Sequence, residues 1–151
     1  MAERDRIAVI RRLIAEGRLV AAEGEAWTWP APIGWQHAES LAMVARSYQR
    51  QGATTDALRV WRAAACLAQA GEYGVDRQDQ LDAASVLQEI AEDLLVAGHT
   101  QEAQTVAQAM RHAGRRTRAL ATVAAITAGD VAHPPRYDDP PAAGGQPPAA
   151  S

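Results

Sequence analysis

The sequence predicts an all-α fold, and three observations carry that prediction. Up to residue 128 prolines occur only at positions 30 and 32. Apolar residues through the same stretch recur at i, i+3, i+4 and i+7, the spacing that puts them on one face of a helix, and no long strand-like alternation appears. Glycines 17, 52, 98 and 129 each fall where an apolar stripe stops, the position at which a helix turns left-handed to close its last carbonyls.

Taken in order, Ile7, Ile10, Leu13 and Ile14 mark the first helix, over 3–16, which Gly17 ends. A short helix over 18–23 follows. A loop over 24–35 then carries Trp27, Trp29 and Trp35 around Pro30 and Pro32. Leu41, Val44, Ala45 and Tyr48 define a helix over 36–51, and Leu58, Trp61, Ala65 and Leu67 one over 54–70. Leu87, Ile90, Ala91 and Leu94 place a helix over 79–97; Val106 and Met110 place another over 100–112; Leu120, Val123 and Ile126 close the series over 115–128. After Gly52 and Gly98 a threonine and an acid follow at once, which predicts hydroxyl N-caps and a favourable charge in each first turn. From 130 to 151 the chain holds six of its eight prolines and no apolar period; nothing there offsets the entropy of ordering, so a disordered tail is expected. The domain expected is 1–129, with the tail appended.

The glycine intervals test for a repeat. Gly17 to Gly52 is 35 residues and Gly52 to Gly98 is 46, with 71–82 the natural place for the excess. Within 38–67 the chain reads Leu41-x2-Val44-Ala45-x2-Tyr48, then Gly52, then Ala57-x3-Trp61 and Ala64. Within 84–110 it reads Leu87-x2-Ile90-Ala91-x2-Leu94, then Gly98, then Ala103-x3-Ala107 and Met110. Both stretches resemble the tetratricopeptide-repeat family, the first closely and the second in degenerate form, with half-repeats flanking them. The resemblance implies an antiparallel helical hairpin array of six to seven helices, whose hairpins must stack because one alone cannot bury its apolar stripe. Small Ala45 and Ala57 would let the two helices of a hairpin approach. No proline ends either repeat, and a non-repeating bundle of the same hairpins is the alternative.

Composition narrows the function. Fifteen basic residues, all arginine, face 18 acids for a net charge of −3, so no cationic excess exists to neutralise a phosphate backbone and a general nucleic-acid binder is disfavoured. Cys66 is the one cysteine, so no intramolecular disulfide framework can form. No apolar run nears the roughly 18–20 residues that span a bilayer, and the arginine- and acid-rich N-terminus does not read as a signal peptide. A cytoplasmic protein without membrane association is expected. His37, His99, His112 and His133 lack metal-ligand spacing, and no phosphate loop or nucleophile elbow is present. No enzyme, cofactor or metal is therefore predicted, and Cys66, between Ala65 and Leu67, reads as a small buried hydrophobe.

Four features are left to carry function. The tetratricopeptide resemblance implies a groove lined by the first helix of each repeat. By position that gives Glu39, Ala42, Arg46, Gln49 and Arg50 from the close repeat, Ser85, Gln88, Glu92 and Leu95 from the degenerate one, and Arg4, Ile7 and Arg11 from the first helix. Arg46 and Arg50, one turn apart, suit a carboxylate of an acidic peptide or protein partner; a solvated face with local ion pairs is the competing reading. The family's chaperone-binding clamp needs lysine and asparagine, and the chain has neither. Trp27, Trp29 and Trp35 would either cap the core or present a docking or ligand patch. Arg111, His112, Arg115, Arg116 and Arg118 form a basic cluster that would bind phosphate, an acidic tail or RNA, the last disfavoured because no aromatic residues interleave, or would simply complement helix ends. The PPRY stretch at 134–137 fits a polyproline ligand, against a plain linker. Glu72, Asp76, Asp79 and Asp82 would hold a cation or, as the plainer reading, mark a helix start. The functional expectation is an interaction module for a peptide or protein. A self-assembling subunit and a small-molecule binder on the tryptophan loop are the alternatives.

Overall fold

The computed structural model describes residues 3–28 and 34–129, and among them every regular element is a helix. Seven follow one another: α1 (Glu3–Ala15), α2 (Leu19–Trp27), α3 (Gly34–Arg50), α4 (Thr54–Gly71), α5 (Arg77–Val96), α6 (Thr100–Ala109) and α7 (Ala113–Thr127). The all-α prediction holds. The expected tail, Trp29 and the 134–137 motif lie outside the described residues.

One turn recurs three times and sets the architecture. In the first, the Arg18 amide donates to Leu13 O at 2.8 Å and the Gly17 amide to Ile14 O at 3.0 Å. Ala53 and Gly52 repeat the pair onto Tyr48 and Gln49, and His99 and Gly98 onto Leu94 and Leu95. This closure requires a left-handed residue, and Gly17, Gly52 and Gly98 have φ of 74°, 78° and 86°. Leu13, Tyr48 and Leu94, which supply the carbonyls, are all buried, so each turn is anchored in the core and reverses the chain.

Consecutive helices pack in pairs, α3 against α4 most extensively, and the odd-numbered helices also touch in the order α1, α3, α5, α7. The chain thus builds a row of hairpins side by side. The core is rich in alanine: Ala38, Ala45, Ala57, Ala64, Ala68, Ala103 and Ala107 are fully buried among Ile10, Leu41, Trp61, Leu87 and Ile90. Small side chains on facing helices let the axes close in, and the few large ones fill what is left. Two glycines mark the closest approaches. A Cβ on Gly34 would lie 2.8 Å from Leu67 O, and one on Gly71 would lie 2.8 Å from Ala83 Cβ.

Several expectations are corrected. The 24–35 loop is shorter, because α2 runs on to Trp27 by burying Ala22 and Ala26, and α3 already begins at Gly34. The excess between the second and third glycines is not a loop: α4 and α5 have 18 and 20 residues, and only 72–76 connect them. Thr54 and Thr100 do not cap; Ala53 and His99 hold the N-cap positions without a side-chain bond, because the glycine turn has already fixed the entry of the next helix. The first-turn acids Asp56 and Glu102 are where expected. Cys66 is exposed, since Ala64, Ala65 and Ala68 take the inward positions of α4.

Candidate partner-binding cleft

A cleft of about 250 Å³ opens between the C-terminal ends of α3 and α5, lined by Arg46, Gln49, Arg50, Trp61, Asp93, Val96 and Ala97. Three of the groove residues that the repeat resemblance implies meet here. Arg46, Gln49 and Arg50 share a face because α3 repeats every 3.6 residues. Opposite them, α5 contributes Asp93 and Val96, one turn apart.

Arg46 does not stand clear of the protein. Its Nη1 lies 3.2 Å from Asp93 Oδ2, and the Asp93 side chain is 1% exposed. A buried carboxylate is costly unless paired, so Arg46 acts first as the partner of Asp93 and ties α3 to α5. Ion pairing of Arg46 was the competing reading of this face, and here its partner is Asp93 on the neighbouring hairpin. Gln49 Oε1 lies 3.2 Å from His99 Nε2, and the His99 ring meets the Trp61 ring edge-on with centroids 6.0 Å apart. His99 stands at the N-cap of α6, so the side chain that orients Gln49 comes from the turn closing the next hairpin. Trp61 is 1% exposed and floors the cleft; its Nε1 is buried and finds no acceptor among the described residues. Val96 is 44% exposed, which leaves an apolar rim beside Arg50, an exposed residue at the end of α3.

The other predicted residues lie elsewhere. Glu39 is exposed, two turns earlier on α3. Arg11 lines a separate shallow depression on α1 with Arg4, Ile7 and Ala8. Gln88 and Glu92 belong to a network running toward α7: Arg115 Nη1 donates to Gln88 Oε1 at 3.0 Å, and Gln88 Nε2 to Glu92 Oε1 at 3.1 Å. Ala42 and Leu95, which the repeat register places on the groove, are buried in the core. Trp27 ends α2 and is 46% exposed. Trp35, in the first turn of α3, is half-buried and donates from Nε1 to Asp79 Oδ1 at 3.2 Å; it packs at the end of α3 remote from the cleft.

Elsewhere the polar groups fasten helices together. Arg59 Nη2 donates to Glu23 Oε2 at 3.0 Å, and the Tyr48 hydroxyl donates to the same oxygen at 3.1 Å. The Arg59 hydrogen bond holds the Glu23 carboxyl below its ordinary range, and burial pushes the Tyr48 phenol up. Arg62 reaches Glu102 on α6 and lowers that carboxyl in the same way. Asp76 caps α5 by accepting from the Asp79 amide at 3.0 Å, the helix-start role its position suggested.

The acidic stretch and the basic stretch meet in a way that spacing alone does not show. Glu72, 3% exposed, accepts the amides of Arg111 at 2.9 Å and His112 at 3.0 Å. Among the described residues no three His, Cys, Asp or Glu side chains gather where they could hold a metal ion, and no helix is long and apolar enough to cross a membrane. Comparison with protein-family models, with curated proteins and with solved structures finds no match to this chain.

Proposed function

We propose that this protein is a non-enzymatic interaction module of tetratricopeptide-like architecture that binds a peptide segment of a protein partner in the α3–α5 cleft. The observation that carries this reading is the composition of that cleft: an apolar floor and rim, Trp61 and Val96, beside the Arg50 guanidinium and the Gln49 amide. At about 250 Å³ the cleft falls below the ~300–1,000 Å³ of pockets that envelop small molecules. It matches one or two side chains of a longer chain laid across the surface. The Arg46–Asp93 pair holds both walls in place before a partner arrives, which reduces the ordering cost of binding. In this reading an acidic group of the partner meets Arg50, exposed at the end of α3, with an apolar neighbour against Val96.

Affinity capture with the full chain tests this reading. Arg50→Ala and Val96→Asp are expected to cut recovery of the bound partner several-fold at unchanged helical circular dichroism, while Arg118→Ala leaves it intact. Equal recovery by all three variants refutes the cleft as the site. A second reading, assembly with another copy, is favoured by a shallow groove at the end of the row, lined by Leu120, Val123, Ala124 and Thr127 with Gln104 of α6. A strictly monomeric chain in light scattering removes it.

A further inference from the structure

At the end of the molecule away from the cleft, the start of α5 and the joint between α6 and α7 enclose a hollow of about 230 Å³. It is lined by Glu72, Arg77, Gln80, Leu81, Arg111 and His112. We propose that this hollow is a binding site for a phosphate monoester dianion. The site is independent of the cleft and of the partner reading attached to it.

The acids around the hollow are hydrogen-bonded within the fold, Arg111 and His112 are held without a carboxylate partner for their side chains, and Arg77 has no partner among the described residues. Both carboxylate oxygens of Glu72 accept backbone amides, those of Arg111 and His112. Asp76 accepts the Asp79 amide, Asp79 accepts the Trp35 indole, and Asp82 accepts the Gln78 amide group. Gln80, on the hollow's wall, donates to Gly74 O. By contrast Arg77 has no hydrogen-bond or ion-pair partner among the described residues. Arg111 is held in place without a carboxylate: its guanidinium carbon lies 4.8 Å from the Tyr73 ring centroid, and Nη1 donates to Glu72 O at 3.4 Å. That guanidinium is positioned while its remaining N–H groups keep their charge for a ligand. His112 accepts the Arg115 amide on Nδ1 at 3.2 Å, which leaves Nε2 to carry the proton of the neutral ring and to act as a donor.

Two guanidinium groups, one at the start of α5 and one in the α6–α7 joint, with an imidazole donor beside them, suit a tetrahedral dianion better than a single carboxylate. The amides in the first turn of α7, which holds no acid, add positive potential of the same sign. The hollow is too small for a nucleic-acid strand, and net charge opposes one. The chemistry recognised is the phosphate group itself, carried either by a free small molecule or by a phosphorylated side chain of another protein.

The test is a titration of the ¹⁵N-labelled full chain with inorganic phosphate, with a phosphoserine peptide and with the same peptide unphosphorylated, at constant ionic strength. Saturable shifts at Arg77, Gln78, Ala113 and Gly114 with phosphate and phosphopeptide, absent with the plain peptide, are the expected result. Tighter binding of the phosphopeptide than of phosphate identifies a protein source; equal binding identifies a free anion. Arg77→Ala and Arg111→Ala are each expected to weaken binding about tenfold, the loss of one charge-assisted contact. Both sites are exposed, so the fold is retained, and the dispersion of the other amides checks it. No saturable shift, equal shifts with chloride, or undiminished binding by the Arg77→Ala variant overturns the proposal.

Discussion

Removing the Glu72 carboxylate should detach α7 before anything else. Glu72 joins the α4–α5 turn to the α6–α7 joint through two short hydrogen bonds, at 2.9 and 3.0 Å, from a side chain in a residue 3% exposed. Charge-assisted bonds of this kind contribute ~1.5–3 kcal/mol each. In Glu72→Ala the freed amides belong to exposed residues and regain water, so the net loss falls below the ~3 kcal/mol to which two such bonds sum at the low end, to about 2 kcal/mol. Glu72→Gln keeps one acceptor oxygen and turns an amide group toward the second N–H, so about half of that loss is expected. The effect is local, because Ala119 and Val123 are the only buried residues of α7. Amide hydrogen exchange of the full chain reads it directly: protection across 113–127 should drop by about 30-fold, the factor equivalent to 2 kcal/mol, while α3 and α4 keep theirs. Unchanged protection of α7 in Glu72→Ala would refute the role given to this carboxylate.

Three further outcomes follow from the same geometry. Gly71→Ala drives a methyl to 2.8 Å from Ala83 Cβ; a destabilisation of ~1–3 kcal/mol by urea unfolding is expected, and a neutral result would mean that α4 and α5 separate freely. Arg46→Met leaves the Asp93 carboxylate buried without its cation and should cost about 3 kcal/mol, most of which Arg46→Met with Asp93→Leu restores; a single variant as stable as the parent would contradict the pairing. On acidification, Glu23, whose folded pKa lies below the ordinary 4.5, contributes stability that is present above that value and lost as pH falls through the folded pKa. Because Arg59 is half exposed, water screens the pair and the loss stays under about 1 kcal/mol. Glu23→Gln should flatten this part of the stability profile below pH ~4.5, and an unaltered profile would assign the acid sensitivity elsewhere.

The helices were legible because their determinants are local. The apolar stripes of α3 and α5 and the glycines at 17, 52 and 98 act within one or two turns of chain. Helix type and the three glycine turns therefore follow from neighbouring residues. Boundaries failed where tertiary burial decided them: Ala22 and Ala26 draw α2 through a stretch that reads as loop, and alanine packing at 64, 65 and 68 turns Cys66 outward.

The cleft was legible on its α3 side, since Arg46, Gln49 and Arg50 are placed by helical spacing alone. Its α5 side was not, because which helix faces α3 is a long-range fact. One signal was available: Asp93 stands between Ala91 and Leu94 on an apolar face, and an acid there demands a cation from outside its own helix. His99 gave no such signal, being ordinary in sequence and important only because the hairpin turn sets it between Gln49 and Trp61. Glu72 was likewise hidden among acids that read as a helix-start pattern, a role that belongs to Asp76.

In the proposed function a partner chain lies across the α3–α5 cleft. The most direct test places a photo-crosslinking side chain at Val96 in the full-length protein, with a second probe at Arg118, and reads the products by mass spectrometry. A discrete protein adduct is expected at Val96, absent at Arg118 and lost when Arg50→Ala is added. The same adduct at both positions, or one at Val96 that survives Arg50→Ala, would contradict it.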